Sequence, residues 1–257
     1  MRSRLLTSSA AVLVVAAATA LGGCASFDSG PLVSEQRDVA DVRMVELSTE
    51  GDLTISVGPT PALTVTAGER IIERLTAEVS DGVLRLDMAG ESVLPNGRIT
   101  YELTVTSLES IAVLGSGDAT VDFTGAIEPV IVSSGSGDIE AAGIDATNAD
   151  ITMDGSGEVT VAGARVQNLT VRIDGSGGAT IDGTADTQRV ELNGSGEYEA
   201  ADLRSASAFV GIHGSGGADI TATAELEVVL DGSGDVSYGG DALVTKDVSG
   251  SGELNRR

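Results

Sequence analysis

Acidic side chains recur at fixed positions in this sequence, and their spacing could bind a hard cation. Asp154 and Asp174 each stand directly before a copy of the tripeptide Gly-Ser-Gly, and Glu158 directly follows the first of these two copies. Carboxylate oxygens are the ligands that Ca²⁺ prefers. If equivalent positions stack on neighbouring coils, these three residues are the best candidates for a speculative Ca²⁺ site. The alternative is a solvated acidic face, because carboxylates about 5 Å apart in water repel each other by only about 0.8 kcal/mol.

Residues that could catalyse a reaction are scarce. His213 is the single histidine. A metal site with several histidine ligands is therefore excluded, and so is a Ser-His-Asp triad built on any other histidine. We therefore predict a non-enzymatic protein without catalytic residues. The alternative is a carbohydrate-active enzyme, a lyase or glycosidase on a β-helix, which a concave groove lined by paired carboxylates and an arginine would favour. The absence of Trp and an aromatic content of 2% argue against sugar stacking.

The N-terminus predicts export and a lipid anchor. Arg2 and Arg4 precede an uncharged apolar run that ends in Leu21-Gly22-Gly23-Cys24. This ending resembles the lipobox of bacterial lipoproteins, which implies a diacylglycerol on Cys24, the only cysteine. We expect residues 1–23 to be the signal peptide and residues 24–38 a tether that holds the protein at the cell membrane or envelope. An ordinary signal peptide or an uncleaved membrane helix would be the alternatives.

The tripeptide Gly-Ser-Gly organises the rest of the chain. It occurs eight times, at steps of 20, 20, 20, 19, 20, 18 and 18 residues. A period this regular predicts a solenoid in which each copy marks a structural corner of one coil. The glycines of the repeat are Gly115, Gly117, Gly135, Gly137, Gly155, Gly157, Gly175, Gly177, Gly194, Gly196, Gly214, Gly216, Gly232, Gly234, Gly250 and Gly252.

Apolar residues alternate with polar ones on both sides of each copy. Four and two residues before the first glycine, and four and six after it, the positions are apolar nearly throughout, with Ser133 an exception. Alternation with period two is typical of a strand buried on one face. We therefore predict an all-β protein, a single-stranded right-handed parallel β-helix with about 20 residues per coil.

The two ends of residues 39–257, the predicted β-helix, differ from its middle. Residues 39–107 alternate without the tripeptide, and we interpret them as degenerate N-terminal coils that precede the regular coils of 108–257; a separate β-domain is the alternative. Asp81-Gly82 predicts a hairpin or a tight corner. Lys246 and Arg256 occupy positions that are apolar in the other coils, which predicts a charged C-terminal cap.

Charge narrows the range of partners. The net charge of −24 excludes nucleic-acid binding, which needs lysine and arginine. Phe123, Phe209 and Tyr198 are expected to fill the core. The remaining partners are the membrane, reached through the lipid on Cys24, and an unknown envelope protein or glycan.

The repeat resembles a known bacterial family. Gly115-Ser116-Gly117-Asp118, Gly135-Ser136-Gly137-Asp138 and Gly232-Ser233-Gly234-Asp235, behind a lipobox, are similar to head GIN domain lipoproteins described as putative autotransporter adhesins. The resemblance covers residues 37–253 and implies a β-helical, envelope-located protein with no established activity. The sequence thus predicts a lipid-anchored surface scaffold or adhesion module; a calcium-binding stalk or sensor is an alternative.

Overall fold

The protein is an all-β solenoid of about seven turns. A computed structural model describes residues 27–90 and 95–257, so the predicted signal peptide and Cys24 lie outside the described residues. Strands β1 and β8 form a small parallel pair, and the other nineteen strands form one sheet that winds around the core. The elements are β1 Phe27–Asp28, β2 Leu32–Arg37, β3 Met44–Leu47, β4 Asp52–Val57, β5 Ala62–Gly68, α1 Glu69–Ile72, β6 Leu75–Ser80, β7 Val83–Met88, β8 Pro95–Asn96, β9 Thr100–Val105, β10 Ser110–Val113, β11 Ala119–Asp122, β12 Val130–Ser133, β13 Ile139–Ala142, β14 Asp145–Met153, β15 Glu158–Ile173, β16 Gly178–Gly194, β17 Glu197–Gly214, β18 Gly217–Gly232, β19 Asp235–Gly239, β20 Leu243–Gly250 and β21 Leu254–Arg256.

The strand register confirms the apolar columns predicted from the repeat. Ile111 pairs in parallel with Ile131, which pairs with Ile151, so residues one period apart lie directly above one another. Val159 continues a second column above Ile139. All five side chains are buried. The predicted parallel stacking of coils, with one face of each strand turned to the core, is therefore present.

The N-terminal part extends the same sheet, but its strands do not stack in the order in which they occur along the chain. Strand β3 lies between β7 and β10, and β4 lies between β9 and β11. The coil of residues 44–57 is thus inserted between two later segments of the chain. Antiparallel strands β2, β5 and β6 are added beyond it, which parallel coils would not provide.

A hairpin at Asp81-Gly82 accounts for part of this difference. Asp81 has φ 54° and Gly82 has φ 81°, the two positive values that a type I′ turn requires. The turn reverses the chain between β6 and β7, so their pairing is antiparallel. The prediction of a hairpin at this dipeptide is confirmed.

Each end of the stack is finished differently. At the N-terminal end, α1 buries Ile71 and Ile72 against the core. At the other end, β20 pairs with β18 alone among the described strands, and Lys246 is exposed on it. Arg256 turns outward to donate hydrogen bonds to the Gly240 carbonyl and the Asp241 carboxylate. Within residues 27–90 and 95–257, no helix has the length and apolarity needed to cross a membrane.

Candidate functional site

The Gly-Ser-Gly copies lie at one corner of the solenoid. In the first marked coil the corner separates β10 from β11, where Ser116 is exposed and Gly117 is buried. The serines of all eight copies are exposed in the same way, so they form a row along the corner. Within the described residues, no hydrogen bond joins any of these hydroxyls to a His, Asp or Glu side chain.

Glycine is required at this corner because a Cβ there would collide with the backbone of the preceding coil. A Cβ on Gly155 would lie closer than 3.0 Å to the carbonyl oxygen of Gly135 in the preceding coil, and the same clash with a backbone carbonyl occurs at all sixteen motif glycines. Backbone hydrogen bonds between coils continue around the corner, since the Ser156 N–H donates to the Gly135 carbonyl at 3.1 Å. The motif therefore acts in coil packing.

Several of the repeated carboxylates also bind the backbone of the next coil. The Asp118 carboxylate accepts a hydrogen bond from the Asp138 N–H at 2.9 Å, and Asp138 accepts one from the Glu158 N–H at 2.8 Å. Asp235 and Glu253 repeat the contact at 2.8 Å. Charge-assisted bonds of this kind are the stronger ones in proteins, so this acidic column links coils to one another.

One of the three residues predicted to bind Ca²⁺, Asp174, already has polar partners. Asp174 lies 2.6 Å from Arg172 Nε and accepts a hydrogen bond from Asn193. These two contacts, that of Arg172 first, hold the pKa of Asp174 below its usual value. Within the described residues, no group of three or more His, Cys, Asp and Glu side chains is arranged to hold a metal. Ca²⁺ binding at Asp154, Glu158 and Asp174 stays a prediction.

The single histidine has one acidic neighbour. His213 is exposed, and its Nδ1 lies 3.9 Å from Asp231 Oδ2. This is longer than a hydrogen bond. A solvated side chain, as its outward position predicts, fits this placement.

A groove of about 630 Å³ crosses the outer surface of the last coils. It runs over β16, β17, β18 and β20. Its wall includes hydroxyl, apolar and charged side chains, namely those of Thr187, Arg189, Phe209, Glu225, Glu227 and Leu243. This groove is the candidate functional site.

Phe209 lies in this groove, so the expectation that it fills the core is wrong. Phe123 and Tyr198 are fully buried, whereas Phe209 is only half-buried. Its ring lies beside Gly211, where an added Cβ would be 3.2 Å from the ring, so the glycine makes room for it on the outer face. Phe209 stands five residues before a Gly-Ser-Gly copy, a position at which the period-two alternation turns the side chain outward. This position could have identified Phe209 as a surface residue.

Arg189 is held over the ring of Phe209. Its guanidinium carbon lies 4.1 Å from the ring centroid, a cation–π contact. The same guanidinium pairs with Glu191 at 2.5 Å, and Arg172 pairs with the second oxygen of Glu191 at 3.2 Å. The charge of Arg189 is therefore already matched by a partner.

Two carboxylates on the other side of the groove have no such partner. Glu225 and Glu227 are exposed, and within the described residues neither makes a hydrogen bond or an ion pair. Glu227 lies next to Phe209 in the strand register, and Glu225 lies next to Leu243, whose side chain is 79% exposed. Glycoside hydrolysis needs one carboxyl shielded enough to stay protonated, and both of these lie open to water.

The floor of the groove is fixed by a buried polar network. Gln188 is 1% exposed, donates to Ser205 Oγ at 2.7 Å and accepts from the Tyr198 hydroxyl at 3.1 Å. Ser205 in turn donates to the Thr221 carbonyl at 2.9 Å. Burial raises the pKa of Tyr198, which keeps its hydroxyl a neutral donor. Satisfied networks of this kind rigidify their surroundings, so the groove is preformed.

Residues 43–242 match the model of the family described as "Putative auto-transporter adhesin, head GIN domain". No curated protein matches the chain.

Solved structures share the architecture. A crystal structure of a putative adhesin from Parabacteroides distasonis is 23% identical with a TM-score of 0.83, covering 89% of this chain and 98% of its own. A putative lipid binding protein from the same organism is 24% identical with a TM-score of 0.79, at 90% and 98% coverage. A putative adhesin from Bacteroides fragilis is 20% identical with a TM-score of 0.67, at 88% and 97% coverage. At these identities the likeness shows the fold.

Proposed function

The chain belongs to the putative auto-transporter adhesin family with a head GIN domain, and on this premise we propose that it is a non-enzymatic, lipid-anchored binding module of the cell envelope. Its role is adhesion, by non-covalent recognition of another surface component. The groove around Arg189 and Phe209 is the contact site. Diacylglycerol on Cys24 is the anchor.

The observation that carries this proposal is the groove itself. It combines an aromatic ring, a positioned cation and two free carboxylates on a rigid floor. Ligand sites characteristically combine apolar surface with a few convergent polar groups. The outer columns elsewhere on the described coils are largely small, polar or ion-paired, as at Thr120 and Thr160.

The placement of the groove supports presentation away from the membrane. The first described residues lie at the N-terminal end, where Gly30 packs near Glu69 of α1. Six parallel steps along the column separate β3 from the Phe209 segment of β17, which is about 29 Å at roughly 4.8 Å per step. An anchor at Cys24 would hold one end of the solenoid while the groove faces outward.

An adhesion assay tests the proposal. Beads coated with the protein are mixed with cells of the source bacterium that lack the gene, and attachment is counted. We expect Phe209→Ala with Leu243→Ala to reduce attachment by about five-fold or more, because buried aromatic anchors carry most of the energy of an interface. Ile127→Ala is the matched control, since Ile127 is also 79% exposed but lies far from the groove in the sequence. Equal attachment by all three proteins would refute the role of the groove, and none by the wild type would refute adhesion.

The anchor has its own test. Cells grown with a labelled fatty acid should incorporate label into the wild-type protein and none into Cys24→Ser. Label in the variant would place the acyl chain elsewhere. Absence of label from both proteins would remove the anchor from the proposal.

One observation favours a second candidate function, a carbohydrate-active enzyme. Glu225, Glu227 and Arg189 line one groove, which is the arrangement named above as favouring this alternative. The exposure of both carboxylates weighs against a protonated general acid. Release of reducing ends from envelope polysaccharide by the wild type, lost in Glu225→Gln and Glu227→Gln, would establish the enzyme in place of the binding module.

A further inference from the structure

The groove carries more unpaired negative charge than unpaired positive charge. Arg189 is matched by Glu191 and by the face of Phe209, whereas the carboxylates of Glu225 and Glu227 form no ion pair with any described residue. The groove therefore presents two uncompensated negative charges. A partner group that is positively charged is the complement, and an acidic ligand would be repelled.

The groove also shows which cation its surface accommodates. A guanidinium already stacks on Phe209 while it pairs with a carboxylate. An arginine from a partner would find the same chemistry one strand further on, with Glu227 beside the ring. Arginine suits such a site because its planar fork binds a carboxylate and stacks on an aromatic ring at the same time.

Apolar surface adjoins the acidic pair. Leu243 lies beside Glu225 in the register and is 79% exposed. A ligand that covers it gains about 25 cal/mol for each Å² of apolar surface removed from water. The groove therefore offers a carboxylate site and an apolar site in adjacent positions.

Backbone groups are available at the same place. Leu243 and Thr245 belong to β20, which pairs with β18 on one side and with no described strand on the other. Unpaired N–H and C=O groups of an edge strand accept an added extended segment. Lys246, which would repel a basic ligand, alternates to the other face of β20, in the column that Val228 occupies in the preceding coil.

From the unpaired carboxylates, the exposed Leu243 and the free edge of β20 we propose that the groove binds an extended peptide segment of a partner protein in which an arginine or lysine stands two positions from an apolar residue, so that both side chains point to the same face of the added strand. The basic side chain pairs with Glu225 and Glu227, the apolar side chain covers Leu243, and the peptide backbone extends the sheet at β20. This inference rests on the proposed function, since it names the partner of the same groove. An amino sugar would supply the charge but neither the apolar side chain nor the strand.

The test is binding of a fluorescent octapeptide of sequence Arg-Ser-Leu-Ser-Arg-Ser-Leu-Ser, in which arginine and leucine share one face of an extended strand, measured by anisotropy with the full chain. A matched peptide with glutamate for arginine measures the contribution of charge. We expect the arginine peptide to bind and the glutamate peptide not to bind. Glu225→Gln with Glu227→Gln should weaken binding by about ten-fold or more.

A charge-matched variant tests whether the weakening comes from the groove carboxylates or from the loss of overall negative charge. Glu102→Gln with Glu140→Gln removes the same two charges from exposed positions on another face, and it should change the affinity by less than about two-fold because separated surface charges are screened. Equal weakening in both double variants would overturn the proposal, as would equal binding of the glutamate peptide. Glucosamine oligomers that bind the groove while the arginine peptide does not would overturn it in favour of an amino sugar.

The outcome is distinguishable from that of the adhesion assay. If Phe209→Ala with Leu243→Ala abolishes attachment of the beads but the wild type does not bind the arginine peptide, the ligand class is wrong and the proposed function stands. If wild-type beads do not attach at all, the proposed function itself fails.

Discussion

Replacing a single motif glycine by alanine should destabilise the protein measurably. On Gly155 the new Cβ would lie closer than 3.0 Å to the carbonyl oxygen of Gly135, and that oxygen also accepts the hydrogen bond of the Ser156 N–H at 3.1 Å. The coils must move apart, and the hydrogen bond is lost with that movement. Overpacking costs about 1–3 kcal/mol and a lost backbone hydrogen bond about 1 kcal/mol, so we expect Gly155→Ala to lower the free energy of unfolding by about 2–4 kcal/mol.

Gly178 provides the matched control for this substitution. It directly follows a motif copy, its φ is not positive, and the nearest atom to an added Cβ is 3.8 Å away. Gly178→Ala should therefore leave the stability unchanged or raise it by up to about 1 kcal/mol through the unfolded chain. Urea unfolding followed by far-UV circular dichroism measures both variants. If Gly155→Ala unfolds at the same urea concentration as Gly178→Ala, the close approach of the coils does not explain the glycines.

Four further outcomes are expected. The Ser133 hydroxyl is buried without a hydrogen-bond partner in the described chain, so Ser133→Ala should raise the free energy of unfolding by about 1 kcal/mol in urea unfolding. Gln188→Leu should cost about 1–3 kcal/mol because the Tyr198 hydroxyl loses its acceptor, and adding Tyr198→Phe should recover most of it in a double-mutant cycle. Because the pKa of Asp174 is lowered in the folded protein, its pairing with Arg172 stabilises the fold above about pH 4, and this stabilisation is lost as the pH falls through the folded-state pKa. The stability difference between the wild type and Asp174→Asn, under about 1 kcal/mol at this exposed site, should therefore vanish in acid. Because Arg172 already pairs with Asp174, millimolar Ca²⁺ should not change the melting temperature, and a rise of several degrees would support the calcium-binding alternative.

The regular coils could be predicted from the sequence because their register follows from side-chain parity. Ile111 and Ile131 align one period apart, and the structure pairs them directly. The carboxylate contact from Asp118 to the Asp138 backbone was not predicted, since parity places both residues outward but does not say whether a side chain reaches water or the next coil.

The N-terminal part could not be predicted to the same extent. A strand alternates in the same way whether its neighbour is parallel or antiparallel, so the antiparallel pairing of β2 with β5 leaves no signal in the pattern. Only the Asp81-Gly82 turn indicates a reversal, because its backbone demands positive φ at both residues.

The candidate site was missed for a different reason. Phe209 belongs to an outward column in which most residues are polar, and its aromatic character was given more weight than its parity. The groove itself is lined by residues of β16, β17, β18 and β20, and no local spacing in the sequence reports the depth of that surface.

Site-specific photocrosslinking in intact cells tests the central claim most directly. Benzoylphenylalanine is placed at Leu243, beside the groove, or at Ile127, which is equally exposed at 79%. We expect irradiation to yield a covalent adduct with a partner protein from position 243 and none from position 127. Excess arginine–leucine peptide should suppress the adduct. Equal adducts from both positions, or an adduct from 127 alone, would contradict a binding role for the groove.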